Sequence, residues 1–234
     1  MPPAAPSLSL PVRALYRLRR EASRAGLPPE LLAPELLLRQ ATAARRADPH
    51  FLIIGTQKGG TTTLYDDLAR HPHVLPAYEK EVHYFDHHHH RGRAWYRRHF
   101  PLRSALDRAA ALTGEASPSY LYHPLAPGRI AEALPGVKMV ALLREPVGRA
   151  VSQYWHMVRA GKEALPMAEA FAAETERLAG EHARILRGEP SDRRVYFTQS
   201  YRHRGLYADQ LARYLDRSTS DEALETLPTL SFRR

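Results

Sequence analysis

FLIIGTQKGGTTT, residues 51–63, decides the fold of this chain. Its first part, 51–55, is a short apolar run that closes on a glycine, which is typical of a buried parallel strand. A polar, glycine-rich loop follows, and residues 61–70 then place Leu64 and Leu68 on one face of a predicted helix. Strand, glycine loop and helix in this order are typical of a βα unit that binds an anion at the helix N-terminus.

A second unit of the same kind follows along the chain. An apolar run over 137–143 predicts another buried strand, and a helix is predicted over 147–160. Further elements are predicted as strands near 73–75 and 112–115 and as helices over 167–187 and 204–216. The alternation predicts an α/β protein with a P-loop-like three-layer fold, in which a central parallel sheet is flanked by helices.

Composition limits the classes of function. The 234 residues are 44% hydrophobic and 25% charged, as in globular proteins, and contain no cysteine, which excludes disulfides, thiolate metal sites and a cysteine nucleophile. No apolar run reaches the roughly 18 residues of a membrane span, and the N-terminus lacks the apolar block of a secretory signal. We therefore expect a cytoplasmic protein without a membrane span. The net charge of +9 predicts an anionic partner.

The glycine loop departs from the P-loop of nucleoside triphosphatases. Four residues separate Gly55 from Gly60, as the P-loop motif requires. The P-loop motif then has a lysine, whereas this chain has Thr61 at that position. The nearest lysine is Lys58. Arg144 begins the region after the second strand, where a Mg²⁺-dependent enzyme needs a carboxylate. The loop therefore predicts an anionic cofactor bound without a metal, with an ordinary glycine turn before a helix as the alternative.

Two motifs resemble the cofactor site of sulfotransferases that use 3′-phosphoadenosine 5′-phosphosulfate (PAPS). Residues 58–61, Lys-Gly-Gly-Thr, resemble their 5′-phosphosulfate loop, and Arg144-Glu145-Pro146 followed by Ser152 resembles their 3′-phosphate motif. The resemblance covers about residues 50–215. It is closest to the heparan sulfate sulfotransferase-like branch because of KEVHYFD, residues 80–86.

The resemblance implies a sulfotransferase that uses PAPS, without a metal, on a small-molecule or carbohydrate acceptor bearing a hydroxyl or an amine. Lys58 would act as a cation at the leaving oxygen, Glu81 as the base, and His83 would orient Glu81 or the acceptor. The cofactor-binding residues would be Gln57, Lys58, Gly59, Gly60, Thr61, Thr62, Thr63, Arg144 and Ser152.

Some positions depart from this pattern. Ala116 stands where the animal sugar enzymes have a second lysine, so a second cation is either absent or supplied from elsewhere, for instance by Arg91 or Arg93. The histidine run 87–90 is compatible with metal binding, although we expect a solvated loop. Tyr154 and Trp155 are expected in the core rather than against a base.

The chain divides into a basic helical extension over 1–49, a sulfotransferase domain over 50–216 and an atypical tail over 217–234. The extension is predicted to form helices over 12–25 and 30–46. The tail is polar and predicts no strand, so we expect a shortened, marginally stable domain. A P-loop small-molecule kinase, a basic nucleic-acid-binding protein and an inactive truncated relic remain alternatives, although no DNA-binding motif occurs and no nucleic-acid partner is expected.

Overall fold

The computed structural model describes residues 33–189 and 192–216. Within them, strands alternate with helices as predicted. The strands are β1 (Phe51–Gly55), β2 (Gly114–Ala116) and β3 (Lys138–Ala141). The helices are α1 (Ala33–Ala41), α2 (Thr61–Arg70), α3 (Gly92–Arg97), α4 (Arg103–Ala109), α5 (Ala126–Ala133), α6 (Pro146–Arg159), α7 (Met167–Arg177), α8 (Glu181–Arg187), α9 (Arg193–Thr198) and α10 (Tyr207–Leu215).

The sheet is parallel, with strand order β2-β1-β3. Leu52 at its centre lies opposite Glu115 on one neighbour and Met139 on the other. β1 and α2 have the predicted bounds, whereas β3 is shorter than the predicted 137–143. The strand expected near 73–75 is reduced to one parallel bridge between Val74 and Leu112.

Both faces of β1 are covered, which confirms the three-layer arrangement. Leu52 and Ile54 point into the largest apolar cluster, whereas Ile53, between them, packs with Tyr65 of α2 and with Ala116. This alternation follows from the two-residue period of a strand, and burial on both sides explains why the run 51–54 is apolar at every position.

Three predicted helices have different bounds in the structure. The segment 167–187 forms two helices because Gly180, at φ +75°, adopts the left-handed conformation between them. The segment 204–216 begins with a 3₁₀ turn, and its α-helix starts at Tyr207. The predicted helix 30–46 is α1 followed by the 3₁₀ turn Ala43–Arg45. The helix expected over 12–25 and the tail 217–234 lie outside the described residues, so those expectations stay predictions.

Glu115 on β2 is a fully buried carboxylate that accepts four hydrogen bonds. The Tyr96 and Tyr120 hydroxyls donate to its Oε1 at 2.8 Å each. Ser117 Oγ donates to Oε2 at 2.8 Å, and the Val82 backbone N–H donates to the same oxygen at 3.3 Å. Burial raises the pKa of Glu115, while the bonds from Ser117 and the tyrosines oppose that rise.

This carboxylate anchors the loop that follows Glu81. The Val82 amide donates directly to Glu115. The next two amides donate to hydroxyl groups that are themselves hydrogen-bonded to Glu115. His83 N donates to Ser117 Oγ at 3.1 Å, and Tyr84 N donates to Tyr120 Oη at 2.8 Å. Three successive amides are therefore fixed by one buried group. The loop carries two left-handed residues, Glu81 at φ +63° and His83 at φ +53°, a conformation that costs free energy and needs such support.

We predict that Glu115→Gln lowers the free energy of unfolding by about 1–3 kcal/mol. The glutamine side chain has one acceptor oxygen in place of two, so some of the buried donors that now bond to Glu115 would lose their acceptor. Urea unfolding measures the effect. The matched control is Glu132→Gln at an exposed position of α5, with an expected change within about 0.5 kcal/mol. Equal stability of Glu115→Gln and the wild type would contradict the anchoring role.

Candidate functional site

A cavity of about 430 Å³ lies at the carboxyl end of the sheet. Its walls come from segments that follow all three strands: Gln57 lies just after β1, Pro118 just after β2 and Arg144 just after β3. This edge is where open parallel sheets bind ligands. The lining residues are Gln57, Lys58, Gly60, Thr61, Thr62, Glu81, Pro118, Arg144, Ser152 and His156.

The glycine loop is packed tightly against the end of β3. Thr56 N donates to Leu142 O at 2.6 Å, and Gly59 N donates back to Thr56 O at 2.9 Å. A Cβ on Gly59 would lie 2.9 Å from both of those carbonyl oxygens, so only glycine fits there. Gly60, at φ +99°, precedes the first residue of α2. The loop thus leads directly into the α2 N-terminus, whose unpaired amides favour an anion.

Two cations from different strand ends meet at the loop. Arg144 Nη1 donates to the carbonyl oxygen of Lys58 at 3.2 Å. Burial lowers the pKa of Lys58, and the charges of Arg159 and Arg144 lower it further, whereas Glu81 opposes the shift. The positive charges of Arg159 and Arg144 disfavour the ammonium of Lys58, and an anion in the cavity would offset that repulsion.

Helix α6 presents two cavity residues on one face. Ser152 and His156 are four residues apart and both line the cavity. At the start of the helix, Glu145 accepts hydrogen bonds from Val147 N at 2.8 Å and Gly148 N at 2.6 Å. The Glu145 carboxylate therefore caps α6, and it is absent from the cavity lining.

Glu81 is the first member of a hydrogen-bonded series that runs inward from the cavity. Its Oε2 lies 3.5 Å from His83 Nε2, and His83 Nδ1 lies 2.8 Å from Asp86 Oδ2. Lys80 also pairs with Glu81. The side chain of Asp86 is fully buried, whereas 40% of the Glu81 side chain is exposed.

The series has a definite charge state. Burial lowers the pKa of His83, but the bonds to Asp86 and Glu81 outweigh it and raise that pKa to about 10. Burial raises the pKa of Glu81 and of Asp86, and the bonds to His83 outweigh it, so both carboxyl pKa values fall to about 2. At neutral pH a protonated His83 donates a hydrogen bond to Asp86 and forms an ion pair with Glu81.

Most predicted cofactor residues line the cavity, but three predicted site residues do not. Gly59 packs beneath the loop, and Thr63 is exposed on α2. His83 lies behind Glu81. Of the two roles suggested for His83, this position favours orienting Glu81 over touching the acceptor.

The arginines suggested as replacements for the missing lysine lie elsewhere. Arg93 bonds to Asp48 and the Ala133 carbonyl, and Arg91 stacks on Trp95 at 5.3 Å. Neither lines the cavity. Ala116, at the position of that lysine, is fully buried against Ile53 and Tyr65 and offers no space for a charge.

Two expectations about aromatic residues are wrong. His87, His88 and His89 are half-buried rather than solvated, because they pack on aromatic rings, for example His87 on Phe197 at 4.5 Å. Tyr154 is buried as expected, but Trp155 is 49% exposed.

The ligand atoms of His83, Asp86 and His87 lie within 4.8 Å of one another, close enough to hold a metal. The hydrogen bond between His83 and Asp86 instead favours a protonated imidazole paired with a carboxylate. That the site binds no metal stays a prediction.

Sequence reasoning missed Asp86, Pro118 and His156. A signal existed for two of them, because Asp86 follows His83 by three residues and His156 follows Ser152 by four. These are the spacings at which side chains of a helical turn meet. Pro118 carried no such signal, since its position depends on where β2 ends.

We predict a pH-dependent contribution of His83 to stability. Since its folded pKa of about 10 exceeds the ordinary 6.5, the stabilisation is complete below pH 6.5 and is lost as the pH rises towards 10. The difference in unfolding free energy between the wild type and His83→Gln should therefore shrink between pH 6.5 and 10 in urea titrations. His90→Gln, at an exposed position, is the matched control. A difference that stays constant with pH would contradict the bridging charge state.

About half of the chain is similar in sequence to known sulfotransferases. It is 40% identical over 106 residues to the membrane-associated sulfotransferase kil1 of Dictyostelium discoideum, an alignment that covers 45% of this chain and 22% of that one. It is 42% identical over 122 residues to human heparan sulfate glucosamine 3-O-sulfotransferase 6, with coverages of 52% and 34%. The alignments thus span 22% and 34% of the length of these relatives. Within the described ranges, no helix has both the length and the apolar character needed to cross a bilayer.

A solved structure and a family model extend these similarities. A sulfotransferase from Alicyclobacillus acidocaldarius is 33% identical, with a TM-score of 0.51, over 74% of this chain and 70% of that one. The sulfotransferase domain model matches residues 48–226, which include all the cavity residues. The chain therefore belongs to the sulfotransferase domain family.

Proposed function

We propose that the protein transfers a sulfuryl group from PAPS to a hydroxyl or amine acceptor, with a carbohydrate as the acceptor class. The observation that carries this proposal is that one cavity is lined by an anion cradle, which includes Lys58 and Arg144, and by the carboxylate of Glu81. The carbohydrate class rests on the names of the heparan sulfate relatives.

The cavity residues fit the anionic groups of PAPS. Lys58 and the Thr61 and Thr62 hydroxyls, at the α2 N-terminus, would hold the 5′-phosphosulfate. Arg144 and Ser152 would hold the 3′-phosphate. Among the lining residues, Glu81 alone is acidic, so the rest of the wall favours a polyanion.

PAPS supplies an activated sulfuryl group when bound. Transfer of that group to the acceptor oxygen or nitrogen would leave the electron pair of the broken sulfur–oxygen bond on adenosine 3′,5′-bisphosphate. Lys58 would stabilise the charge on that leaving oxygen. Glu81 accepts the acceptor proton, while His83 and Asp86 hold its carboxylate in place. With a pKa near 2 Glu81 is a weak base, so it takes the proton only once the forming bond to sulfur has made the acceptor acidic.

The kinase alternative gains no support from the site. The loop lacks a lysine after Gly60, and the carboxylate nearest the end of β3 is Glu145, which is engaged in capping α6. The cytoplasmic localisation stays a prediction.

We predict that the protein binds adenosine 3′,5′-bisphosphate at least about tenfold more tightly than 5′-AMP, because Arg144 makes a charge-assisted bond to the 3′-phosphate. Isothermal titration calorimetry with both nucleotides measures the ratio. Arg144→Ala should remove most of the preference, and Arg108→Ala, at an exposed position of α4, should leave it unchanged. Equal binding of the two nucleotides by the wild type would overturn the cofactor assignment.

We predict that Glu81→Gln lowers the rate of sulfuryl transfer by about 10²- to 10⁴-fold with little change in nucleotide affinity, because the amide keeps the shape but cannot accept the proton. Single-turnover transfer to a surrogate amine or sugar acceptor measures the rate, and Glu132→Gln serves as the control. Lys58→Ala should also lower the rate. Full activity of Glu81→Gln would exclude Glu81 as the base.

A further inference from the structure

The cavity lining contains one lysine, Lys58, and one arginine, Arg144, to balance the charge of a bound donor. This argument rests on the proposed function. PAPS brings several negative charges, and breaking the bond to sulfur places another on the bridging oxygen. Lys58 and Arg144 face these charges, but Arg144 is assigned to the 3′-phosphate, which leaves Lys58 for the leaving oxygen.

His156 is a further residue of the cavity lining. It follows Ser152 by one turn of α6 and is solvent-exposed. The charged groups that act on it electrostatically are Lys58 from the glycine loop, Glu81 from the loop before Tyr84, Arg159 from its own helix and Lys162 beyond the helix end. Lys58 and Glu81, which carry the proposed reaction, line the same cavity as His156.

These surroundings set its protonation in the resting protein. Burial lowers the pKa of His156, and the charges of Lys58, Arg159 and Lys162 lower it further, while Glu81 opposes the shift. These surroundings therefore favour the neutral imidazole. A polyanionic nucleotide beside it reverses the sign of the local field and favours the imidazolium.

We propose that His156 takes up a proton from solvent when the nucleotide binds, and that the resulting imidazolium acts with Lys58 as a second cation beside the leaving phosphate oxygen. The second positive charge is thus present only while the anion is bound. The transfer step itself is unchanged: the acceptor proton still goes to Glu81, and the imidazolium stabilises the charge that develops on the bridging oxygen.

Calorimetric titration of adenosine 3′,5′-bisphosphate at pH 7.5, in buffers that differ in ionisation enthalpy, tests the proton uptake. The dependence of the observed enthalpy on buffer enthalpy gives the protons bound per nucleotide. We expect the wild type to bind a larger fraction of a proton than His156→Gln, so that the difference between them isolates His156 from the titration of the nucleotide's own phosphates. His90→Gln, at an exposed position outside the cavity lining, should match the wild type.

Single-turnover sulfuryl transfer tests the second cation. His156→Gln should lower the rate about tenfold or more, since removing one donor to a developing oxyanion has effects of at least this size. His156→Lys, which carries a permanent charge, should restore much of the rate and should remove the decline that we expect for the wild type at alkaline pH. A merely structural role would not produce rescue by lysine together with a changed pH profile.

The outcomes separate this inference from the proposed function. Failure of the wild type to bind adenosine 3′,5′-bisphosphate would overturn both. Tight binding with the same proton uptake in the wild type and His156→Gln would overturn the role of His156 and leave the sulfotransferase proposal standing. Smaller uptake in His156→Gln, with rescue of the rate by lysine, would support it.

Discussion

The candidate site depends on the buried carboxylate of Glu115. A charge-bearing group away from water is tolerated only when hydrogen bonds satisfy its oxygens, and here Tyr96, Tyr120, Ser117 and the Val82 amide do so. The same bonds tie β2 to the loop that carries Glu81 and His83. Because the hydroxyl partners also receive the next two amides of that loop, its strained left-handed residues are held in one conformation. The position of the base is thus a consequence of satisfying one buried acid.

Opposed charges then set the chemistry of the cavity. His83 bridges Glu81 and Asp86, which keeps the base ionised and oriented. Lys58 and Arg144 line the same cavity and favour an anion. A sulfuryl group bound there would have a proton acceptor for the incoming atom and a cation for the leaving one. This polarity, rather than any single residue, favours group transfer over simple nucleotide binding.

The parallel sheet explains why these groups meet. Strands that run in one direction end at one edge, so the segments after β1, β2 and β3 all reach the same cavity although their residues lie far apart in sequence. The glycine loop can turn beneath the ligand site because Gly59 leaves room for the carbonyls of Thr56 and Leu142. A side chain there would push the loop away from β3, and with it Lys58 and the start of α2.

The sequence by itself determined the elements whose signal is local. The apolar run 51–55 with its glycine loop, the helix 61–70 and the motif around Arg144 each carry their pattern within a few residues, and the family resemblance selected Lys58 and Glu81 from them. Only the tertiary structure decided which groups touch. That Asp86 lies behind His83, that His156 lines the same cavity as Lys58 and that Arg91 and Arg93 bond elsewhere depends on packing between distant segments. The half-buried histidines at 87–89 have the same origin, since their burial comes from aromatic rings such as Phe197, 110 residues along the chain from His87. Local patterns specify backbone conformation, whereas the environment of a side chain is set by contacts that no short stretch of sequence contains.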